Sequence, residues 1–183
     1  MDVAKIPPMA ATSPTTMLEV RKERPDDRAG IHDVVRRSCG SMEANLVDKL
    51  RSNGAVLLSL LALLDGTPVG HVLYSPATIG NVSGAALGPM GVVPEHQRHA
   101  IGSRLIETGN RMLAEGGCPF IVVLGHAAYY PRFGFVPAST YGVSCVWPVP
   151  NDVFMIRVLD ASAMQGVSGR ATYRDEFLSD ELA

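Results

Sequence analysis

Several signals that would assign a sequence quickly are missing from this one. Its three cysteines, Cys39, Cys118 and Cys145, stand far apart with no C-x-x-C pairing, which argues against a disulfide framework or a zinc knuckle and suits a reducing cytoplasm. No dense block of lysine and arginine occurs, and the formal net charge is -2, so there is no electrostatic footprint for nucleic acid or an anionic membrane. The most apolar run, residues 55–64, is about half of the roughly 20 residues needed to cross a bilayer, and reads as a buried strand. Residues 1–16 hold Pro7, Pro8 and Pro14 among small polar residues and lack the apolar centre of a secretory signal, so they are expected to form a disordered tail. A G-K-[ST] phosphate loop, a G-x-G-x-x-G after a strand and a G-x-S-x-G elbow are all absent, which removes kinase, ATPase, dinucleotide and serine-hydrolase readings. There are no internal repeats.

What is present fits one globular domain. A chain of 183 residues with 46% hydrophobic and 19% charged content can bury a sizeable core. The pattern divides it into the tail, a domain over residues 17–160 and a weakly patterned extension over residues 161–183 packed on or near it. Residues 17–24 alternate Leu18, Val20 and Lys22 with Glu19, Arg21 and Glu23, which predicts a strand; Pro25-Asp26-Asp27 then opens a helix with Ile31, Val34 and Val35 on its apolar stripe. A second short helix is expected over residues 42–51. Residues 56–64 are apolar on both faces, and Asp65-Gly66 is a hairpin signal into a strand over residues 69–79. The next strand, residues 85–93, is interrupted by Gly88-Pro89 and Gly91, which predicts a bulge or splay. A helix over 101–114, a buried strand over 120–124 and a last strand over 153–159 complete the reading. Strand, glycine-bearing loop, helix, strand is a crossover that makes the flanking strands parallel.

The loop in that crossover carries the chemistry. From Val92 and Val93 the chain runs through Gln97, Arg98, His99, Ala100, Ile101, Gly102 and Ser103 into a helix start, where free backbone N–H groups and the positive end of the dipole favour an anion. Ala100 and Gly102 are small enough for a phosphate to approach, and Arg98, His99 and Arg104 place charge at its edge. His96 and His99 stand three apart beside Glu95, but no third ligand or H-E-x-x-H accompanies them, so no metal is expected. Cys118 and Cys145 have no local His-Asp setting and read as small buried hydrophobes.

Residues 97–102 resemble the Q-x-x-G-x-G/A coenzyme A loop of the GNAT N-acetyltransferase superfamily, with Ala100 in place of the usual first glycine. If that position needs a left-handed backbone the alanine costs about 1 kcal/mol; if it needs only closeness a methyl is tolerated. Residues 124–135, which contain Tyr129-Tyr130-Pro131-Arg132-Phe133-Gly134-Phe135, resemble the superfamily's Y-x-x-x-G-F segment. Residues 18–35 and 59–75 resemble its first strand and helix and its central hairpin, so the likeness spans residues 17–159. Within the superfamily the wording is most similar to the YhbS-like predicted acetyltransferases.

The resemblance implies a mixed α/β fold: a mostly antiparallel sheet of six to seven strands flanked by helices, splayed between two central parallel strands. It implies acetyl-CoA as cosubstrate, no metal, and direct transfer of the acetyl group to a primary amine without a covalent enzyme intermediate. The backbone of Met90, Val92 and Val93 would hold the pantetheine arm, residues 97–103 the diphosphate with Arg132 nearby, and Tyr130 would protonate the leaving thiolate. No motif fixes the base that takes the amine's proton. His126 leads, with Glu43 and His71 behind it and a water chain as the alternative. The acceptor is expected to be a small-molecule amine, an amino acid or an amino sugar. A protein lysine or N-terminus and a non-catalytic acyl-CoA-binding module are the competing readings, and exposed strand edges point to a homodimer.

Overall fold

The fold is that of a computed structural model, described over residues 17–178. The tail expected over residues 1–16 and the last five residues of the extension lie outside the described residues.

The chain opens with β1 (Leu18–Lys22), followed by a 3-10 turn at Pro25–Asp27 and the helices α1 (Arg28–Ser38) and α2 (Ser41–Ser52). Pro25 suits the start of that turn because it has no N–H to leave unpaired, and the Asp27 carboxylate accepts the Arg24 backbone N–H at 2.7 Å. Helical spacing puts Ile31, Val34 and Val35 on the buried face of α1, and Ala44, Val47 and Leu50 on that of α2.

Next comes an antiparallel meander of β2 (Leu58–Leu64), β3 (Thr67–Ile79) and β4 (Val82–Val92). Its first turn has positive φ at both Asp65 (48°) and Gly66 (80°), the geometry that twists a two-residue hairpin to match its strands. The helix α3 (Ile101–Glu115) then crosses to β5 (Phe120–Leu124), which lies parallel to β4. The short β6 (Val136–Pro137) and β7 (Val143–Ser144), then β8 (Phe154–Val158) and β9 (Gly169–Thr172), complete the set. The main sheet runs β1-β2-β3-β4-β5-β8-β6, and β9 joins β3 at Thr78 and Ile79, beyond the end of β2.

β2 is apolar on both faces because both are covered. Leu60 and Ala62 enter the core that holds Leu105 and Ile106 of α3, whereas Leu61 and Leu63 enter the core of α1 and α2. Each such buried leucine or isoleucine contributes on the order of 2 kcal/mol. No helix among the described residues is long and apolar enough to cross a membrane.

The opening in the sheet has a local cause. β4 pairs with β5 only over Ala85–Leu87. Immediately beyond, β4 has two residues, Gly88 and Pro89, where β3 has only Leu73. That bulge adds twist, and Pro89 has no N–H with which to continue a ladder. β4 stays on β3 while β5 follows β8, so a wedge opens between the parallel strands.

Within the weakly patterned stretch after residue 160, β9 enters the sheet and Asp175–Phe177 forms a 3-10 turn against α2. Only Ala171 of β9 is buried, so four residues present no alternation to read. Tyr173 lies between Trp147 and Phe177, with ring centroids 5.0 and 5.6 Å away. The buried Glu176 is ion-paired with Arg174 and accepts the Asn53 amide at 2.8 Å; the Arg174 hydrogen bond, against the effect of burial, holds its carboxyl down to about 2.

Candidate functional site

The wedge exposes one edge of β4, and the hydrogen-bond alternation says which residues use it. Val93 donates its N–H to the Val69 carbonyl at 3.0 Å, so Val93, and by antiparallel alternation Gly91, face β3. Met90 and Val92 therefore turn their backbone groups toward the open edge. Their carbonyls are already in use: Val92 accepts the Gln97 amide at 3.0 Å and Met90 the Cys39 thiol at 3.4 Å. The Met90 and Val92 N–H groups are the donors left for a ligand lying along this edge.

β4 leads into a turn that presents more donors. After a 3-10 turn at Pro94–His96, Arg98 and Ala100 both adopt left-handed backbone, with φ of 63° and 61°, and α3 starts at Ile101. No side chain caps that start, so the first N–H groups of α3 are open to an anion at the positive end of the dipole. Ala100 is thus the strained alternative of the two that its sequence position left open. Gln97 ties the loop to β4, and an ion pair between Glu95 and Arg37 ties it to α1.

A cleft of about 690 Å³ lies between this edge and the segment after β5. Tyr130 stands on its far wall, 7% exposed, its ring so close over Gly125 that a Cβ there would lie 2.3 Å from it. Phe135 and Tyr129 hold the ring edge-on, at 5.6 and 5.2 Å between centroids. Burial drives the Tyr130 phenol well above its ordinary range, so it keeps its proton at neutral pH. Tyr129 also lines the cleft, with the Arg132 guanidinium 4.1 Å above its ring centroid. At the third side the end of α1 abuts β4 so tightly that a Cβ on Gly91 would lie 2.0 Å from the Ser38 hydroxyl and 2.8 Å from the Cys39 sulfur.

Residues 21–135, more than half of the chain, match the acetyltransferase (GNAT) family. The chain belongs to that family. Among its relatives is the uncharacterized N-acetyltransferase YjhQ of Escherichia coli K12, 39% identical over 149 residues that cover 75% of this chain and 82% of YjhQ. A second is the uncharacterized N-acetyltransferase YhbS of the same strain, 33% identical over 86% of this chain and 97% of its own. The crystal structure of E. coli YhbS in complex with CoA superposes with a TM-score of 0.87 at 31% identity, covering 93% of this chain and 97% of that one. A GNAT acetyltransferase from Brucella melitensis in complex with acetyl-CoA superposes with a TM-score of 0.73 at 32% identity, covering 88% and 98%.

Within this GNAT fold, most of the residues singled out from the sequence come together. Met90 and Val92, residues 97–103 apart from His99, and His126, Tyr130 and Arg132 all border the cleft. Three do not. The Val93 N–H is taken by β3, which corrects the expectation that it holds a ligand's arm. His99 is exposed between the two left-handed residues and stands outside the cleft, and Glu43 sits in the first turn of α2 with its carboxylate against Gly40. His71 is also corrected as a base: it is fully buried, bonded through Nε2 to Ser59 at 2.8 Å, and unable to meet a substrate. Sequence reasoning did not select Ser38, Gly91 or Tyr129 as part of the cleft wall. Ser38 carries no local signal, whereas Gly91 next to a bulged strand and a tyrosine doublet ahead of a G-F pair are cues that direct attention there.

Proposed function

We propose that this protein binds acetyl-CoA along the open edge of β4 and transfers its acetyl group to a primary amine by direct attack within a ternary complex. The observation that carries the reading is the continuity of donors, from the outward N–H groups of Met90 and Val92 through the left-handed loop to the uncapped start of α3. Diphosphate at the loop and pantetheine along β4 use those donors in order, and the CoA and acetyl-CoA complexes of the two GNAT relatives support that choice of ligand. An N–H at the β4 edge, facing the thioester oxygen, stabilises the negative charge that builds there as the amine nitrogen attacks the carbonyl carbon. The C–S bond then breaks, and Tyr130, still protonated, gives its proton to the departing thiolate. An ordinary alkyl amine has a pKa near 10 and must lose its proton before attack. His126, which borders the cleft with Tyr130, is the leading base, with a water chain as the alternative now that Glu43 stands outside the cleft.

We further read the acceptor as a small-molecule amine, residues 17–160 as the catalytic domain with 161–183 as its extension, the site of action as the cytoplasm, and a homodimer as the assembly. The decisive test is thiol release from acetyl-CoA across a panel of amines, amino acids and amino sugars. Release that depends on the amine is expected. Tight CoA binding with no release for any amine, peptide lysines included, would turn the reading to a non-catalytic acyl-CoA-binding module.

A further inference from the structure

Tyr129 sits where a merely packed aromatic has no reason to be. Its hydroxyl lies at the start of α3, so near Gly102 that a Cβ there would be 2.7 Å from the oxygen. The hydroxyl makes no hydrogen bond to any described residue, and the ring borders the same cleft as Arg98, Gly102 and Ser103. A phenol O–H is a hydrogen-bond donor, and one parked beside open helix N–H groups adds one more donor aimed at the same place.

The ring is held from several sides. Tyr130 and Phe133 pack edge-on against it, both with centroids 5.2 Å away. Arg132 lies over its face with the guanidinium carbon at 4.1 Å, and makes no ion pair to any described carboxylate. Stacking leaves the guanidinium edge, with its N–H donors, free to meet an anion, and reduces the rotamer freedom that ordering an exposed arginine would cost. Opposite this pair the backbone half of the turn holds two non-glycine residues, Arg98 and Ala100, in left-handed conformations.

We propose that Tyr129 and Arg132 form a side-chain half of the diphosphate site: the Tyr129 hydroxyl donates to the diphosphate, and Arg132, perched on the Tyr129 ring, faces it with a counter-charge. Gly102 is then required for a second reason besides approach of the ligand, since any side chain there displaces the Tyr129 hydroxyl. The proposal rests on the acetyl-CoA reading, but it assigns work to side chains that the backbone turn does not need.

Calorimetric titration of the full chain with CoA and with dephospho-CoA, which keeps the diphosphate, separates the possibilities. A hydrogen bond to a charged oxygen predicts that Tyr129→Phe weakens both ligands roughly tenfold or more, with an unchanged thermal midpoint. Arg132→Ala is expected to weaken both about three- to fivefold, with the loss shrinking as salt is raised. Arg132 also lies 5.0 Å from the Phe133 ring centroid, so Tyr129→Leu removes the closer of its two supports as well as the hydroxyl; adding Arg132→Ala to it should cost less than adding Arg132→Ala to Tyr129→Phe. S-acetylpantetheine, which has no phosphate, should bind all variants alike. The proposal is overturned if Tyr129→Phe binds CoA as tightly as the parent protein, if S-acetylpantetheine is weakened as much as CoA, or if Arg132→Ala costs the same when combined with Tyr129→Leu. Failure of the parent protein itself to bind CoA would instead overturn the acetyl-CoA reading.

Discussion

At the scale of single residues, two side chains in the cleft make opposite demands on the chain. Burial raises the Tyr130 pKa further above neutrality and the absence of a side chain at Gly125 seats its ring, so replacing it by phenylalanine removes the hydroxyl while leaving the ring packing in place. Tyr130→Phe should lower kcat by about 100-fold, the low end of what a positioned acid contributes, with the KM for acetyl-CoA and the thermal midpoint nearly unchanged. Unaltered turnover would leave the ring as packing only. Ala100 is strained, since its φ of 61° is a conformation that costs an L-residue about 1–2 kcal/mol. Glycine there removes the strain but gives back about 0.4–1 kcal/mol in unfolded-chain entropy, so the net gain should be of the order of 0.5–1 kcal/mol. Thermal unfolding of Ala100→Gly should shift upward by roughly 2 °C, and a downward shift would show that the methyl packs more usefully than the backbone suffers.

At the scale of elements, the site is made where three of them converge: the end of α1, the edge of β4 and the start of α3. Gly91 is the joint, because a methyl there meets not only the Ser38 hydroxyl but its Cβ at 2.7 Å, an atom that cannot swing away. Gly91→Ala should therefore push the end of α1 off β4, lower stability by roughly 1–3 kcal/mol and raise the KM for acetyl-CoA. A melting curve that overlays the parent's would mean that α1 yields without resistance. This convergence also marks the limit of what could be read in advance. The meander, the three helices and β5 were legible because each has its own period, and the loop from Gln97 to Ser103 was legible because a turn that feeds a helix start carries its chemistry locally. The bulge at Gly88-Pro89 was visible too, as a break in an apolar strand. Ser38 was not, because it reaches the cleft only through the packing of the end of α1 against β4. β9 escaped for another reason: with one buried residue in four it has no pattern at all, and its place in the sheet is set by Tyr173, Trp147 and Phe177.

At the scale of the whole molecule, a polar chain that runs from the buried His71 to the half-buried Arg51 joins the layers, and it predicts how the fold responds to acid. His71 in β3 is bonded to Ser59 in β2, Ser59 donates to Glu23 beyond β1, and Glu23 is paired with Arg51 at the end of α2 at 2.7 and 3.1 Å. Burial, opposed by the Glu23 charge and aided by that of Arg51, pulls the His71 pKa down to about 4. In the unfolded chain the same imidazole takes up its proton near pH 6.5, so between those values the unfolded state binds more protons than the folded one. The stability that neutral His71 permits is complete above pH 6.5 and is lost as pH falls toward 4, an effect of at most about 3 kcal/mol. Asp27 and Glu176, whose carboxyls are held to about 2, act in a separate window, since their contributions begin to fall only as pH drops through the ordinary carboxylate range. Urea unfolding should accordingly show a free energy that is level above pH 7 and declines between pH 6.5 and 5. His71→Gln, which keeps a group able to bond Ser59 and does not titrate, should be less stable at neutral pH but flat across that interval. If the glutamine variant declines as steeply as the parent, protonation of His71 is not what acid does to this fold.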